Sequence, residues 1–248
     1  MLAVVSDIHG NLAALEAVVA HAQACGCTQF VNLGDILSGP LWPRETADYL
    51  MAQEWLTISG NHERQLLTLA PQLMNRSDRF TISCLNDRHL GWLKSLPPTA
   101  RRDEQTFLCH GTPTSDLHYF LHRVGKEGDV REASPGEVEE SSGHRPEQLI
   151  LCGHTHLPRI VRRSRGGQVV NPGSVGLPAY DDEHPYPHVM ETGTPEARYA
   201  LVDGREARLI ALEYDHEAAA RQAERNDRPD WAHALRFGRV APSSQAVR

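Results

Sequence analysis

Five polar stretches, each directly behind an apolar run, carry residues able to bind a divalent cation. They read LAVVSDIHGN, FVNLGDI, LTISGNHER, TFLCHGT and LILCGHTH. Their candidate donors are Asp7 and His9, Asp35, Asn61 and His62, His110, and His154 with His156. An Asp or Asn behind a strand is commonly a turn or capping residue, and a lone His is commonly a surface or core residue. A full set at successive strand ends would need that coincidence many times over. Carboxylate, imidazole and amide oxygen without a thiolate suit borderline divalent ions (Mn, Fe, Zn, Co or Ni) better than calcium. The donors outnumber what one tetrahedral ion can take. Two ions about 3.5 to 4 Å apart, sharing a carboxylate and a water-derived ligand, match the number and suit displacement at phosphorus. The spacings Asp7-x-His9 and His154-x-His156 would put alternate side chains on one side of an extended segment. Gly10, Gly34, Gly60, Gly111 and Gly153 flank the donors, as turns with unusual backbone angles or close approaches require.

The elements that must position these residues follow from periodicity. LAVVS is a buried strand; Asn11 caps a helix whose apolar positions Leu12, Leu15, Val18 and Val19 recur at helical spacing until Gly26. QFVNLGD is a second strand and turn, RETADYLMAQ a helix, WLTISGNHE a third strand, which together spell a parallel, doubly wound β-α-β-α-β arrangement. In such a sheet the carboxyl ends of the strands face one crevice, so the donors converge however far apart they lie in sequence. After a helical region near 62–95 come TFLCHGT and LILCGHTH, with a polar cap insertion at about 112–146 between them. Hairpins are expected around Gly166-Gly167 and Asp203-Gly204, making the sheet mixed. Residues 216–237 read as helical. One domain over 1–238 and a flexible tail at 239–248 complete the layout.

With 248 residues, 40% hydrophobic and 23% charged, the chain is long enough for a sizeable core and excludes fibrous and disordered classes. A net charge of −7 without a long basic run argues against a stable nucleic-acid complex. The opening apolar run is too short for a signal peptide or a membrane span, so no membrane association is expected. Five cysteines, an odd number, argue for a reducing compartment and a cytoplasmic location. His21, His89, His144, His216 and His233 lack a motif and read as surface residues; His184 and His188 stay unassigned.

Taken together, DIH, GD, GNHE, HG and GHTH in that order resemble the calcineurin-like metallophosphoesterase superfamily. NPGSVG at 171–176 resembles its smaller bacterial phosphodiesterase-type members. The resemblance implies an α/β fold, a four-layer αββα sandwich of two mixed sheets. It implies two divalent transition-metal ions, manganese foremost: one held by Asp7, His9, Asp35 and His156, the other by Asp35, Asn61, His110 and His154. Asp35 would bridge them, and His62 would sit beside the phosphate as leaving-group acid or charge stabiliser. The implied reaction is hydrolysis of a phosphodiester or nucleotide-type phosphoanhydride by a metal-activated water, on a small phosphorylated substrate with nucleotides among the candidates. A phosphomonoesterase on a small molecule or phosphoprotein is the runner-up, and a non-catalytic scaffold of the same fold is a different class of function. Asn11, Arg64, His118, Tyr119 and Arg123 are the candidate substrate contacts, although Tyr119, Phe120 and Leu121 would equally pack the cap down. Two departures bear on substrate. No Arg follows the GD turn shortly, which disfavours a protein serine/threonine phosphatase. Where relatives often continue NPGSVG with Pro and a basic residue, this chain has an apparent insertion at 178–197 of open role.

Overall fold

The computed structural model describes residues 1–242. The tail expected at 239–248 therefore lies mostly outside the described residues; of its first part, the Val240 amide donates to Glu191 Oε1 at 2.8 Å. The chain opens with β1 (Leu2–Val5), α1 (Leu12–Ala24), β2 (Gln29–Asn32), α2 (Pro43–Met51) and β3 (Leu56–Thr57). Helices α3 (Asn61–Thr68), α4 (Arg76–Cys84) and α5 (Asp87–Ser95) follow, then β4 (Thr99–Asp103) and β5 (Thr106–Cys109). The hairpin β6 (His122–Val124) and β7 (Val130–Glu132) and helix α6 (Pro135–Ser142) lead to β8 (Leu149–Leu151). Then come β9 (Arg159–Arg162), β10 (Gln168–Asn171) and the hairpin β11 (Ala179–Asp182) and β12 (His188–Glu191). Strands β13 (Ala197–Asp203) and β14 (Glu206–Leu212) and helices α7 (His216–Arg225) and α8 (Pro229–Phe237) are the last elements among the described residues.

The large strands form two five-stranded sheets, as the family resemblance implied and as the order of strands along the chain alone did not. The first has the order β14-β13-β1-β2-β3, with β1, β2 and β3 parallel and β13 antiparallel to β1. The second has the order β4-β5-β8-β10-β9, with β5, β8 and β10 parallel between antiparallel edges. The strands of TFLCHGT and LILCGHTH thus start a second sheet instead of extending the doubly wound one. The physical reason lies in β1: Leu2 and Val4 face one side, Ala3 and Val5 the other, and every one is buried. Leu2, Val4, Val31, Leu33, Ala200 and Val202 meet Leu108, Leu149, Leu151 and Val170 of the second sheet. Ala3, Val5, Phe30 and Leu201 meet Leu15 and Val18 of α1. The far face of the second sheet, with Phe107, Ile150 and Val169, takes Phe120, Leu121, Ala133 and Val138. The result is a four-layer αββα sandwich. Each Val, Leu, Ile or Phe among these side chains contributes about 1.5–3 kcal/mol on burial.

The segment 112–146 accordingly does two things. Much of 112–124 and the stretch 140–146 line the site cavity, while Phe120, Leu121, Ala133 and Val138 pack behind the second sheet. The region 216–237 is helical as expected, in two pieces. Pro229 lacks an amide hydrogen and restricts Arg228 before it, and Asp227 turns at φ 56°, so α7 stops and α8 starts afresh. His89, expected on the surface, is 1% exposed: its ring accepts from the Asn86 amide at the start of α5 and lies 3.1 Å from Asp48 Oδ1.

Candidate metal centre

The polar ends of β1, β2 and β3 from one sheet and of β5 and β8 from the other meet over the same end of the sandwich. Asp7, His9 and His156 place ligand-type atoms within 4.8 Å of one another, and so do Asp35, His110 and His154; all six are buried. Asn61 brings Oδ1 to 3.1 Å from His110 Nε2. All seven expected metal donors therefore gather at one place. The route differs from the extended one foreseen. Asp7, His9, Asp35, His154 and His156 all sit in the left-handed region, at φ 53°, 51°, 52°, 68° and 59°. Tight turns, not alternation along a strand, aim their side chains, at a strain of about 1–3 kcal/mol each. His154 and His156 consequently serve different clusters.

The turns are locked to one another. The Glu63 carboxylate, fully buried, accepts the amides of Asp35, Ile36 and Gly60, each at 2.8 Å. Gly60 lies so close to Asp35 that a Cβ there would collide with Asp35 Oδ1. Sequence reading missed Glu63, although an acid three residues into a helix is a recognisable capping signal.

Hydrogen bonding fixes the imidazole tautomers. His9 Nδ1 donates to Ser38 O at 2.6 Å, His110 Nδ1 to Leu33 O at 2.8 Å and His156 Nδ1 to Leu177 O at 2.7 Å. A carbonyl can only accept, so in these rings Nδ1 holds the hydrogen and Nε2 is the basic nitrogen turned inward. His154 is reversed: Nε2 donates to Leu117 O at 3.1 Å, leaving Nδ1 free. His9 Nε2 and His156 Nε2 face each other at 3.1 Å, and Asp7 Oδ1 is buried without a hydrogen-bond partner. His110 Nε2 faces two oxygens, Asp35 Oδ2 at 3.0 Å and Asn61 Oδ1 at 3.1 Å. Lone pairs converging on lone pairs with two buried carboxylates among them make a donor set that fits divalent cations.

Protonation equilibria carry the same sign. Burial would lower His110, yet Asp35 and then its hydrogen bond push it up to about 10. A proton there occupies a position suited to a cation. Burial pushes His9 down to about 3 and His154 down to about 4, keeping both rings neutral and able to ligate. Burial would raise Asp35, but His110 and His62 hold it well below the usual carboxylate range.

His62 stands apart at the lip of the cavity, with its side chain 20% exposed and its ring 5.4 Å from that of His9. Its Nδ1 donates to Asp78 Oδ1 at 2.9 Å, and its amide donates to Asp35 Oδ1 at 2.9 Å. Burial would lower it; Asp35 and then the Asp78 hydrogen bond push it up to about 9. Asp78, 1% exposed at its side chain, also accepts from Ser38 Oγ and from Asn75 Nδ2 at 3.0 Å. It enters from α4, where nothing in the sequence distinguishes it from an ordinary first-turn acid.

The candidate substrate contacts fare less well. Asn11 spends its amide on the Gly176 carbonyl, the Tyr214 hydroxyl and the Ala14 amide, so it is a buried cap and not a contact. Arg64 is paired with Asp116 at 2.6 and 3.0 Å. Arg123 donates to the carbonyls of Tyr119, Phe120 and His122 and to Ser141 Oγ, which staples its own loop. His118 is exposed on the cavity wall. Tyr119 borders the cavity with its hydroxyl 2.9 Å from His188 Nε2. The cavity measures about 1790 Å³ and has His9, Asp35, Asn61, His62, His154 and His156 in its wall.

Among solved structures, a metallophosphoesterase from Sphaerobacter thermophilus shares this fold at a TM-score of 0.77 with 23% identity, covering 96% of this chain and 99% of that one. A protein of Pyrococcus horikoshii superposes at 0.74 with 19% identity over 97% and 100% of the two chains. By sequence, an uncharacterized protein of Methanocaldococcus jannaschii is 25% identical over 93% of this chain and 95% of its own. Residues 1–194, which contain all five motifs and both clusters, match the calcineurin-like phosphoesterase superfamily domain, and the chain belongs to that superfamily.

Proposed function

We propose that the protein is a dinuclear metal-dependent phosphoesterase that hydrolyses phosphodiester or nucleotide-type phosphoanhydride bonds. The observation that carries this reading is the pair of buried Asp/His clusters in the wall of one open cavity, with a protonated His62 at its lip. Asp7, His9, Asp35 and His156 would hold one cation and Asp35, Asn61, His110 and His154 the other, with Asp35 between them. When bound, such cations supply Lewis acidity and a water acidic enough to deprotonate near neutral pH, and manganese is the first ion to try. His62 holds a proton that it can deliver to the departing oxygen, and Asp78 keeps its Nδ1 occupied so that Nε2 is the donating atom. The cavity, at about 1790 Å³, is larger than the ordinary small-molecule site, which supports an ester with a substantial group on each side of phosphorus. The five cysteines, all free in the structure, support a reducing, cytoplasmic setting, and the acidic balance supports a small substrate over a stable nucleic-acid complex. No helix among the described residues is long and apolar enough to cross a membrane.

The test is hydrolysis of bis-p-nitrophenyl phosphate against p-nitrophenyl phosphate by protein reconstituted with Mn. Diester turnover in excess of monoester turnover is expected. The reverse preference would move the activity to a phosphomonoesterase. Two bound metals with no turnover of either ester would favour a scaffold.

A further inference from the structure

The β11–β12 hairpin, which occupies the apparent insertion after NPGSVG, reaches back to the two candidate ligands of the GHTH turn. Tyr180 of β11 sets its ring edge-on against His156, with centroids 4.6 Å apart. Its hydroxyl bonds the His154 carbonyl at 3.1 Å. Tyr119 meets the His154 ring edge-on at 5.0 Å, and its hydroxyl is 2.8 Å from that of Tyr180. On its other side the Tyr119 hydroxyl is 2.9 Å from His188 Nε2 of β12, and His188 Nδ1 donates to Tyr186 O at 2.7 Å. With Nδ1 committed to a carbonyl, Nε2 is the nitrogen left to pair with the Tyr119 hydroxyl. A continuous chain of polar contacts therefore runs from the hairpin to the backbone of a candidate ligand.

That backbone needs holding. His154 and His156 both carry positive φ, a conformation that non-glycine residues keep only where their surroundings impose it. At 8% exposure, His154 is the least enclosed of the candidate ligands, and its ring is anchored by the carbonyl of Leu117, itself on an exposed loop. His154 is further held by the bond from its amide to Asp7 Oδ2 at 3.1 Å, by the His110 ring 5.0 Å from its own, and by the Tyr180 and Tyr119 contacts.

We propose that Tyr180 and Tyr119 are positioning residues, and that the β11–β12 hairpin is a strap that sets the ring nitrogens of His154 and His156 at the spacing their cations require. The proposal rests on the metal reading above. Neither tyrosine is assigned a step in the reaction; each acts through the histidines.

The experiment compares wild type with Tyr180→Phe and Tyr119→Phe, which keep the aromatic edges and remove only the hydroxyls. Each is titrated with Mn2+ calorimetrically, loaded with Co2+ for its visible spectrum, and assayed on bis-p-nitrophenyl phosphate. Partners of metal-ligating histidines typically contribute 10- to 100-fold in affinity or activity. The expectation is a loss of at least 10-fold in affinity for one or both cations, an altered Co2+ spectrum, and a fall in kcat with KM within about 2-fold. Excess Mn2+ should restore part of kcat, which a role confined to fold stability would not produce in a variant of unchanged Tm. Unchanged affinities and an unchanged Co2+ spectrum in both variants would overturn the positioning role while leaving the metal reading intact. A wild type that binds neither cation would overturn both.

Discussion

Asp78→Asn separates the proton of His62 from everything else in the site. The carboxylate receives His62 Nδ1 at 2.9 Å, and with Asp35 it raises the imidazole from 6.5 to about 9. With cations bound as proposed, the Asp35 charge would face them, leaving Asp78 as the partner that continues to hold the proton. Were Asp78 alone to hold the ring at about 9, it would be about 90% protonated at pH 8 against about 3% for an imidazole at 6.5, so about 30-fold is the upper bound on the fall in kcat at pH 8. At pH 6 the corresponding fractions are nearly 100% and about 75%, so the variant should lie within 2-fold of wild type there. Asparagine turns an NH2 group toward that of Asn75, which at present donates to Asp78 Oδ2 at 3.0 Å, so a stability cost of roughly 1–2 kcal/mol accompanies the change. The assay is kcat for bis-p-nitrophenyl phosphate from pH 5.5 to 9.5 with saturating Mn2+, with the Tm of each protein measured beside it. The basic limb should move to lower pH. A uniform loss at all pH values, or no loss at all, would refute the assignment of His62 as a proton donor held charged by Asp78.

His62→Ala should retain both equivalents of Mn2+ and lose 10²- to 10⁴-fold in kcat, measured by metal analysis and turnover on one sample. Asp35→Asn should lose metal and activity together, because two cations would then face each other without the charge between them; metal content after gel filtration decides it. Cation binding at pH 8 should release a proton, since His110 is pushed up to about 10 before a cation arrives. Affinity should then weaken about tenfold per unit as pH falls from 9 toward 7, and pH-independent calorimetric affinities over that range would count against it. Gly60→Ala should destabilise the protein, with loss of cation binding, because the added methyl group meets Asp35 Oδ1; a variant of wild-type Tm and metal content would contradict that account.

The donors were legible because each follows an apolar strand and belongs to a short motif, so that Asp7, Asp35, His110 and His154 declare themselves without knowledge of the fold. What was not legible is tertiary in origin. Parallel strands buried on both faces read alike whether they are covered by a helix or by another sheet, so β5 and β8 looked like continuations of the first sheet. Asp78 is a first-turn acid in α4, and only the packing of that helix beside His62 gives it a role. Tyr180 sits in a Pro-, His- and acid-rich stretch without periodicity, and its partner Tyr119 lies 61 positions away in the chain. Arg64 and Arg123 looked like anion binders because a sequence shows a cation but not the acid or carbonyl that already engages it.

Both clusters draw their donors from both sheets. Asp7 and His9 leave β1 while His156 follows β8; Asp35 follows β2 while His110 and His154 follow β5 and β8. His9 and His156 are 147 positions apart, and Asn61 and His110 are 49. A cation held in either cluster is then a cross-link between the two halves of the sandwich, closing loops whose entropy the unfolded chain would otherwise keep. At a free concentration 100 times its Kd, each would add about 2.7 kcal/mol to the stability of the fold. Metal loading would thereby tie the two sheets into one cooperative unit at this end. The first sheet-parting fluctuations of the loaded protein would be left to the opposite end, where β1 begins and the contact between sheets is made by Leu2, Leu149 and Val202.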